Sequence, residues 1–572
     1  MKKAIILGGG VAGLSAAHEL IERGFDVAVY ESKTIPGGKA RSIPVPHSGT
    51  DGRKNLPGEH GFRCFPGFYR HIIDTMRRIP YDQNQSVYDQ LVTAREMGLA
   101  RFNHQLVAIS TSIPKSMTGI KKNMKALFDS DWGLSEEEVV FFTERLWQVM
   151  TSCRERIMDE YERISWWDYL DGDNQSKNFH EVFASISRSL VAAKSTEASA
   201  KTFGTVLSQL LMGIITPTND SDRVLNGPTN EVWIDPWISF LKQKGVSYYT
   251  NATVSGLQLK EGKITGVHIH RDGYEELVKA DFYLSTLPVE AMAPLVTSDM
   301  LRADPTLSGL KKLAKDVDWM NGIQFFMKRE VPIVNGHLII MDSPWAITAI
   351  SQKQFWIGND LQQYGDGQVR GIISVDISEW NKPGILLGKK AIECTKEEIK
   401  DEVWAQLKKA LNHEKELLRD EDVHSWFLDP DINFDISGKM INSEPLLINK
   451  VFAWSLRPYA FTGIPNLFLA SDYVRTNTDL ASMEAANEAA RRAVNGILDA
   501  ADSRKRKCKI WDMYKFDLLT PWHIHDWVRY RKGLPWDGGA SFFSRGIHLL
   551  LYAGKYAWGK AKKFKWFRSV FK

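Results

Sequence analysis

Apolar and polar positions along this chain follow two periods, and the changes between them mark its parts. Residues 4–7 form a short unbroken apolar run, the pattern of a parallel strand buried on both faces. Residues 14–23 follow helical spacing, and 27–30 form a second buried run that ends on Glu31. From 72 to about 220 the spacing is mainly helical; Ser135, with Glu138 three residues on, has the capping-box spacing that opens a helix. A second apolar helical run covers 205–215. Strand-and-turn punctuation returns over 236–287. It predicts a helix with Trp237, Phe240 and Leu241, then strands at 246–249 and 251–254. Hairpins follow through Gly262 or Gly266 and through Asp272-Gly273, and a buried strand closes at 280–288. Residues 301–412 alternate strands and helices, with aromatic-rich strands at 319–326 and 343–348 and a helix opening at Thr395. A buried strand at 466–473 ends in an acid, and a helix opens within 480–490. The fold class this predicts is α/β, a Rossmann-like unit interleaved with an α+β unit.

Glycines at the first strand–helix junction add chemistry. Gly8, Gly10 and Gly13 fit G-x-G-x-x-G, with Ala12 inside the first helical turn. The first glycine allows the tight turn, the second lets the backbone approach a pyrophosphate, and the third lets helix and strand pack closely. Phosphates then sit on the free N–H groups of the helix N-terminus. Glu31, 18 residues after Gly13, is placed to grip a ribose hydroxyl. A second doublet, Gly37-Gly38, runs into Lys39-Ala40-Arg41, so N–H and cationic donors can close over a diphosphate. The pattern predicts dinucleotide binding.

An N-terminal Rossmann unit paired with this second doublet resembles FAD enzymes of the amine oxidase superfamily, and the phytoene desaturase and hydroxysqualene dehydroxylase subgroup in particular. The resemblance covers roughly residues 1–500. It implies FAD as cofactor, with Gly38, Lys39 and Arg41 in one loop and Arg41 as the phosphate or flavin contact. It implies that Gly58-Glu59-His60-Gly61-Phe62-Arg63 runs along the flavin, His60 being either a hydrogen-bonded loop histidine or a catalytic group. The backbone at Val254 would contact adenine. Asp472 would accept from ribityl or phosphate-linked hydroxyls, and the Met483 N–H would meet the flavin C2 carbonyl, where a helix dipole favours negative charge. Ser471 and Ala485 stand where relatives carry glycine, and Val232 where plant-type desaturases carry arginine.

The implied organisation is a discontinuous FAD-binding domain (1–75, 225–300, 420–502), a substrate domain (76–224, 301–419) and a tail (503–572). The implied reaction moves a hydride from an allylic carbon of a long apolar substrate, isoprenoid, carotenoid-like or another lipid, to flavin, with loss of a proton. A membrane quinone is the implied electron acceptor. No catalytic residue is singled out. Alternatives on the same scaffold are an amine or amino-acid oxidase, a non-redox lipid isomerase, and an FAD-binding partner protein without turnover.

Composition changes the picture in few places. With 43% hydrophobic and 25% charged residues in 572, the chain is an ordinary folded protein of two or three domains. Its four cysteines are far apart and lack C-x-x-C spacing, which argues against a disulfide framework or a zinc site and fits a reducing cytoplasm; no metal ligands are singled out. Lys2 and Lys3 before an apolar stretch imitate a signal peptide, but glycines break that stretch. No apolar window is long enough to span a bilayer. The charge is uneven: residues 503–572 hold 17 Lys/Arg against 4 Asp/Glu, and the rest 56 against 65. Those 70 residues also carry 16 Phe, Trp and Tyr. Phe543, Ile547, Leu550, Leu551 and Trp558 fall near one face of a helix, with Arg545, Lys555, Lys562 and Lys563 offset. That pattern suits an anionic membrane surface, at about 1 kcal/mol per basic residue. Nucleic acid is not expected as a partner. The expected location is cytoplasmic and peripheral on the membrane.

Overall fold

A computed structural model describes residues 1–111, 132–184, 186–215, 222–515 and 517–540. Five parallel strands form the sheet that carries the glycine turn, in the order Ser247–Tyr249, Asp26–Tyr30, Lys3–Leu7, Phe282–Ser285, Leu467–Leu469. The apolar runs of the inner strands are continuous because those strands are buried on both faces, while the edge strand Ser247–Tyr249 stays partly exposed. The helices Val11–Ile21 and Met483–Ala500 lie against one another, and both pack into the core of this sheet. The antiparallel strands Ala252–Lys260, Lys263–Arg271 and Tyr274–Val278 share that core through Leu257, Val267 and Ile269. Their first turn is at Gly262, which has φ +74°, and Gly266 lies inside a strand. The strand expected over 466–473 stops at Leu469, so Asp472 sits in the turn beyond it.

A second, seven-stranded sheet has the order Val423–Leu428, Asn321–Met327, Gly371–Ile377, Thr348–Ser351, Gly336–Ile340, Glu96–Ala100, Val107–Ser110. The helix Lys396–Leu411, opened by a Thr395/Glu398 capping box, packs Ile399, Val403 and Leu407 against Ile323, Phe325 and Val375. Polar side chains alternate with these along the same strands, and Gln324 hydrogen-bonds Ser374 at 2.9 Å. Here the Glu59 N–H donates to Gln324 at 2.9 Å and the Gly322 N–H to the His60 carbonyl at 2.8 Å. The loop expected along the flavin therefore rests on this sheet.

Several expectations need correcting. Among its described residues the stretch 72–220 holds the strands Leu91–Thr93, Glu96–Ala100 and Val107–Ser110. Leu91 pairs with Leu225 and Leu99 with Ile339, partners so remote that local spacing carries no trace of them. The strand expected over 343–348 begins only at Thr348, since Pro344 lacks an N–H and Ala346 has φ +48°. Val423–Leu428 pairs with Asn321–Met327 as the outer strand of the seven-stranded sheet.

The helical unit forms as the capping box predicts. Glu136–Thr151 opens at Ser135, whose hydroxyl accepts from the Glu138 N–H at 3.2 Å. Residues 503–540 are not a detached tail. Cys508 is buried, and the helix Thr520–Arg531 docks on Arg154–Asp159 through a buried Arg156–Asp526 ion pair. The amphipathic positions Phe543, Arg545, Ile547, Leu550, Leu551, Lys555, Trp558, Lys562 and Lys563 lie outside the described residues. Among the described residues no helix is long and apolar enough to cross a membrane.

Candidate functional site

The first strand ends at Leu7, and the chain turns through Gly8, whose φ of +106° suits glycine. Gly10 is the N-cap residue of Val11–Ile21. No side chain caps this helix start, and its first turn holds no acid. Its leading N–H groups are the kind that bind an anion. Gly13 lies so close to the turn that a Cβ there would stand 2.0 Å from the Gly8 carbonyl oxygen. Ala12 is buried beside it.

The second doublet closes on the first. Gly37 (φ +112°) bridges to Gly10, and a Cβ on Gly38 (φ +57°) would stand 3.0 Å from the Gly10 Cα. Two backbones meet here with no room for side chains, as a cradle for a backbone-bound ligand requires. Glu31 is buried at the end of the second strand. Its Oε2 accepts from the Gly9 N–H at 2.7 Å and its Oε1 from the Lys33 N–H at 2.8 Å. The Ala252 N–H donates to the Glu31 carbonyl at 2.9 Å, which brings the strand bearing Val254 to this edge.

Lys39 and Arg41 are turned towards protein carboxylates. The Lys39 ammonium lies 2.9 Å from Glu290 and also meets the Pro445 carbonyl. The Arg41 guanidinium, itself buried, pairs with Asp431 and Glu444, each at 2.7 Å, and donates to the Gly38 carbonyl at 2.9 Å. Lys33 joins both acids, at 3.4 and 3.1 Å. Arg41 so ties the glycine loop to the hairpin Ile432–Phe434/Met440–Asn442. The acids of this cluster were missed in the sequence because Asp431 lies 390 residues from Arg41 and stands in no motif.

His60 points into the same neighbourhood: its Nδ1 is 2.6 Å from Asp429 Oδ2, and Asp429 also accepts from Asn321 Nδ2 at 2.6 Å. Both are buried, and the carboxylate stands against the Nδ1 edge of the imidazole ring. Glu59 accepts from the Ser42 hydroxyl at 2.8 Å and the Thr229 N–H at 2.9 Å, and burial holds its carboxyl above the usual range. Burial pushes the Arg63 guanidinium down, while its Nη2 donates to the Lys39 carbonyl at 2.8 Å. Val232 is buried beside Gly227, and its neighbour Glu231 pairs with Lys54 at 2.6 Å.

Asp376 faces this loop from the sheet, and Gly61 packs so tightly that a Cβ there would meet Asp376 Oδ1 at 2.7 Å. Burial lifts its carboxyl to about 7, against the pull of Arg63 and His60. A carboxyl raised in the folded state keeps a proton that the unfolded chain releases. Its contribution therefore falls as pH rises from about 4 towards 7, by about 2–4 kcal/mol at most. Asp376→Asn, close in shape, is expected to flatten this fall. Thermal unfolding at pH 5 and pH 8 should show a smaller difference in the variant than in the parent; an equal difference would refute the assignment.

At the other end, Ser482 caps the helix that begins at Met483, accepting from the Ala485 N–H at 3.2 Å. Glu484 is buried and takes the N–H groups of Arg70, His71 and Ile72 at 2.8–3.0 Å, capping His71–Met76. Asp472 is half-buried in the preceding turn, its Oδ1 receiving the Ser471 hydroxyl at 3.2 Å. Sequence reasoning also missed a buried cluster ahead of this helix. Lys201 pairs with Asp479 and stands 3.9 Å over the Trp454 ring, and Thr202 donates to Asp479 at 2.7 Å. No local signal marks Lys201, which lies 278 residues from its partner in an ordinary helical run.

A family model described as flavin containing amine oxidoreductase matches residues 11–498. The 15-cis-phytoene desaturase of Synechococcus elongatus is 24% identical over 352 residues, 59% of this chain and 65% of that protein. A chloroplastic/chromoplastic zeta-carotene desaturase of Arabidopsis thaliana is 35% identical over 334 residues, 52% of each chain. The chain thus spans between half and two-thirds of these relatives' length. Among solved structures, an oxidoreductase from Methanosarcina mazei superposes with TM-score 0.55 at 14% identity, over 87% of this chain and 100% of the other. A cyclohexylamine oxidase from Brevibacterium oxydans gives 0.56 at 12% identity, over 88% and 99%. At such identities the likeness is one of fold.

Proposed function

The chain belongs to the flavin-containing amine oxidoreductase family, and on that premise we propose that it is an FAD-dependent oxidoreductase acting on a long apolar, isoprenoid-like substrate at a membrane surface. The observation that carries the cofactor reading is the joint of two glycine loops over an uncapped helix start, with a buried Glu31 beside it. The substrate class is supported by the relatives named as phytoene and zeta-carotene desaturases. When bound, FAD supplies the hydride acceptor, and the protein supplies position and a dry site.

In this reading the leading N–H groups of the helix, from Gly10 through Ala12 and Gly13, would hold the pyrophosphate that the turn at Gly8 lets approach, and Glu31 would take a ribose hydroxyl. Gly38 brings the second loop into backbone contact, while Lys39 and Arg41 clasp that loop to the acids behind it. The Val254 backbone meets adenine, Asp472 the ribityl side, and the Met483 N–H the flavin C2 carbonyl. Residues 1–75, 225–300 and the part of 420–502 beyond the hairpin serve the cofactor; 76–224 and 301–419, with Val423–Leu428, serve the substrate. Residues 541–572 meet an anionic lipid surface, where a quinone can take the electrons.

Anaerobic titration of the purified holoprotein tests the reading. A lipid extract is expected to bleach the flavin, and amines are expected to leave it oxidised. Bleaching by amines, with peroxide on readmitting air, would instead establish an amine oxidase.

A further inference from the structure

We propose that one edge of the seven-stranded sheet is the surface this protein lays on an anionic lipid bilayer. The strands Gly371–Ile377 and Val423–Leu428 both run antiparallel to Asn321–Met327. Ile377 lies opposite Asn321 and Leu428 opposite Ile323, so the chain leaves both strands at the same end of the sheet, which forms this edge of the molecule. Each exit leads to a protrusion that carries unpacked large apolar side chains.

The first is the loop Ile385-Leu386-Leu387, held between Gly384 and Gly388, whose three consecutive side chains are 38, 55 and 40% exposed. The second is the hairpin Ile432–Phe434/Met440–Asn442, where Phe434 and Ile441 are exposed and Ile436 at the turn is wholly in solvent. Neither backbone is loose. The fully buried Glu402 accepts the N–H groups of Ile385, Leu386 and Leu387 at 2.6, 2.9 and 3.1 Å. Arg41 and the Ser443 hydroxyl hold the hairpin's base through Asp431, at 2.7 and 2.6 Å. Both protrusions are therefore built to keep aliphatic side chains in water, which needs a reason.

Lys382, Lys389 and Lys390 bracket the first protrusion and Lys439 follows the turn of the second. Lys389 and Lys390 pair with Glu398 and Glu393 but remain about half exposed at 49 and 46%. Apolar tips with lysines beside them, the hairpin's Asp435 being turned onto the Ser437 and Lys439 N–H groups at 2.8 and 3.0 Å, suit an interface in which side chains enter the acyl boundary and ammonium groups stay among headgroups. Three side chains on a tip fall far short of the roughly 1,000 Å² that a stable protein partner needs. A bilayer accepts the two tips separately. The same edge abuts the His60 loop, through the Gly322 N–H to the His60 carbonyl at 2.8 Å. The inference rests on the apolar-substrate reading for its purpose and on the sheet register for its geometry.

Site-specific labelling tests it. Three native cysteines are buried and Cys64 is half-buried, so Leu386→Cys, Ile436→Cys and, as a control, Glu276→Cys can carry an environment-sensitive nitrobenzoxadiazole label on the full chain. With phosphatidylglycerol/phosphatidylcholine vesicles, emission at 386 and 436 is expected to shift to the blue and rise at least twofold, with no change at 276. The response is expected to persist in a chain cut after Ala540. No shift at 386 or at 436 while the protein sediments with vesicles would overturn the proposal. So would a shift that grows with protein concentration without lipid, which would mean that a second copy covers the edge. A label result of that kind, obtained while lipid still bleaches the flavin, would leave the reaction reading standing.

Discussion

Gly13→Ala is expected to purify with little or no flavin, its FAD affinity lowered about a hundredfold, or roughly 3 kcal/mol. The reason is geometric. The added Cβ would stand 2.0 Å from the Gly8 carbonyl oxygen and 3.1 Å from Thr286 Oγ1, and neither can retreat. The Gly8 N–H is fixed to the Tyr30 carbonyl at 2.8 Å, and its carbonyl receives the Thr286 hydroxyl at 2.7 Å. Relief must come from moving the helix away from the strand, which overpacking typically charges at about 1–3 kcal/mol. The same movement shifts the N–H groups that face the pyrophosphate. Glu31→Gln gives a milder comparison. It keeps the shape but removes the charge that receives the Gly9 and Lys33 N–H groups, so a loss nearer tenfold is expected. Flavin absorbance per chain, with circular dichroism as the check on folding, reads both. Full flavin content in Gly13→Ala would remove the cradle from the account.

What the sequence made legible here, and what it hid, follows from the range of the forces involved. The cradle's parts are local: a turn that needs φ +106° at Gly8, a close approach at Gly13 and an acid at a strand end each leave a mark within a few residues. The capping boxes at Ser135 and Thr395 were readable for the same reason. The charged cluster behind the cradle was not. Arg41, Asp431, Glu444, His60 and Asp429 meet only because two sheets bring distant loops together, and none of their spacings is periodic. The pairing of Val423–Leu428 with Asn321–Met327 was not legible either, because adjacency in the chain does not say which strand a segment joins. The run of basic and aromatic residues after 503 reads as one membrane-facing tail, since composition cannot show where a few buried contacts interrupt it.

That interruption is strong enough to measure. Asp526→Ala is expected to cost about 3 kcal/mol and to release the segment around Thr520–Arg531, because breaking a buried ion pair leaves its partner uncompensated. Arg156 and Asp526 are 1% and 2% exposed, and Arg156 Nε lies 3.0 Å from one carboxylate oxygen and 3.1 Å from the other. The carboxylate also receives the Cys153 N–H at 2.8 Å, and Arg156 donates further to the Leu534 carbonyl at 2.8 Å. Removing the acid therefore strands a guanidinium and an N–H at once, although Glu160, 2.6 Å from Arg156, softens the loss. The release should be local. Upstream, the segment is pinned independently by the Trp511 N–H to His71 at 3.0 Å and by Tyr514 to Gln209 at 3.0 Å. Trypsin cleavage at Arg529 and Arg531 is then expected to accelerate about a hundredfold, the factor that roughly 3 kcal/mol of local opening allows. Flavin content should stay that of the parent. Replacing both partners with apolar residues, Arg156→Met with Asp526→Leu, should recover most of the resistance, since a packed apolar pair avoids the desolvation cost. If the single variant is cut no faster than the parent, the ion pair does not hold this segment, and the docking rests on the aromatic contact of Trp522 with Trp147 at 5.7 Å and the Trp536 hydrogen bond to Thr151 at 3.1 Å.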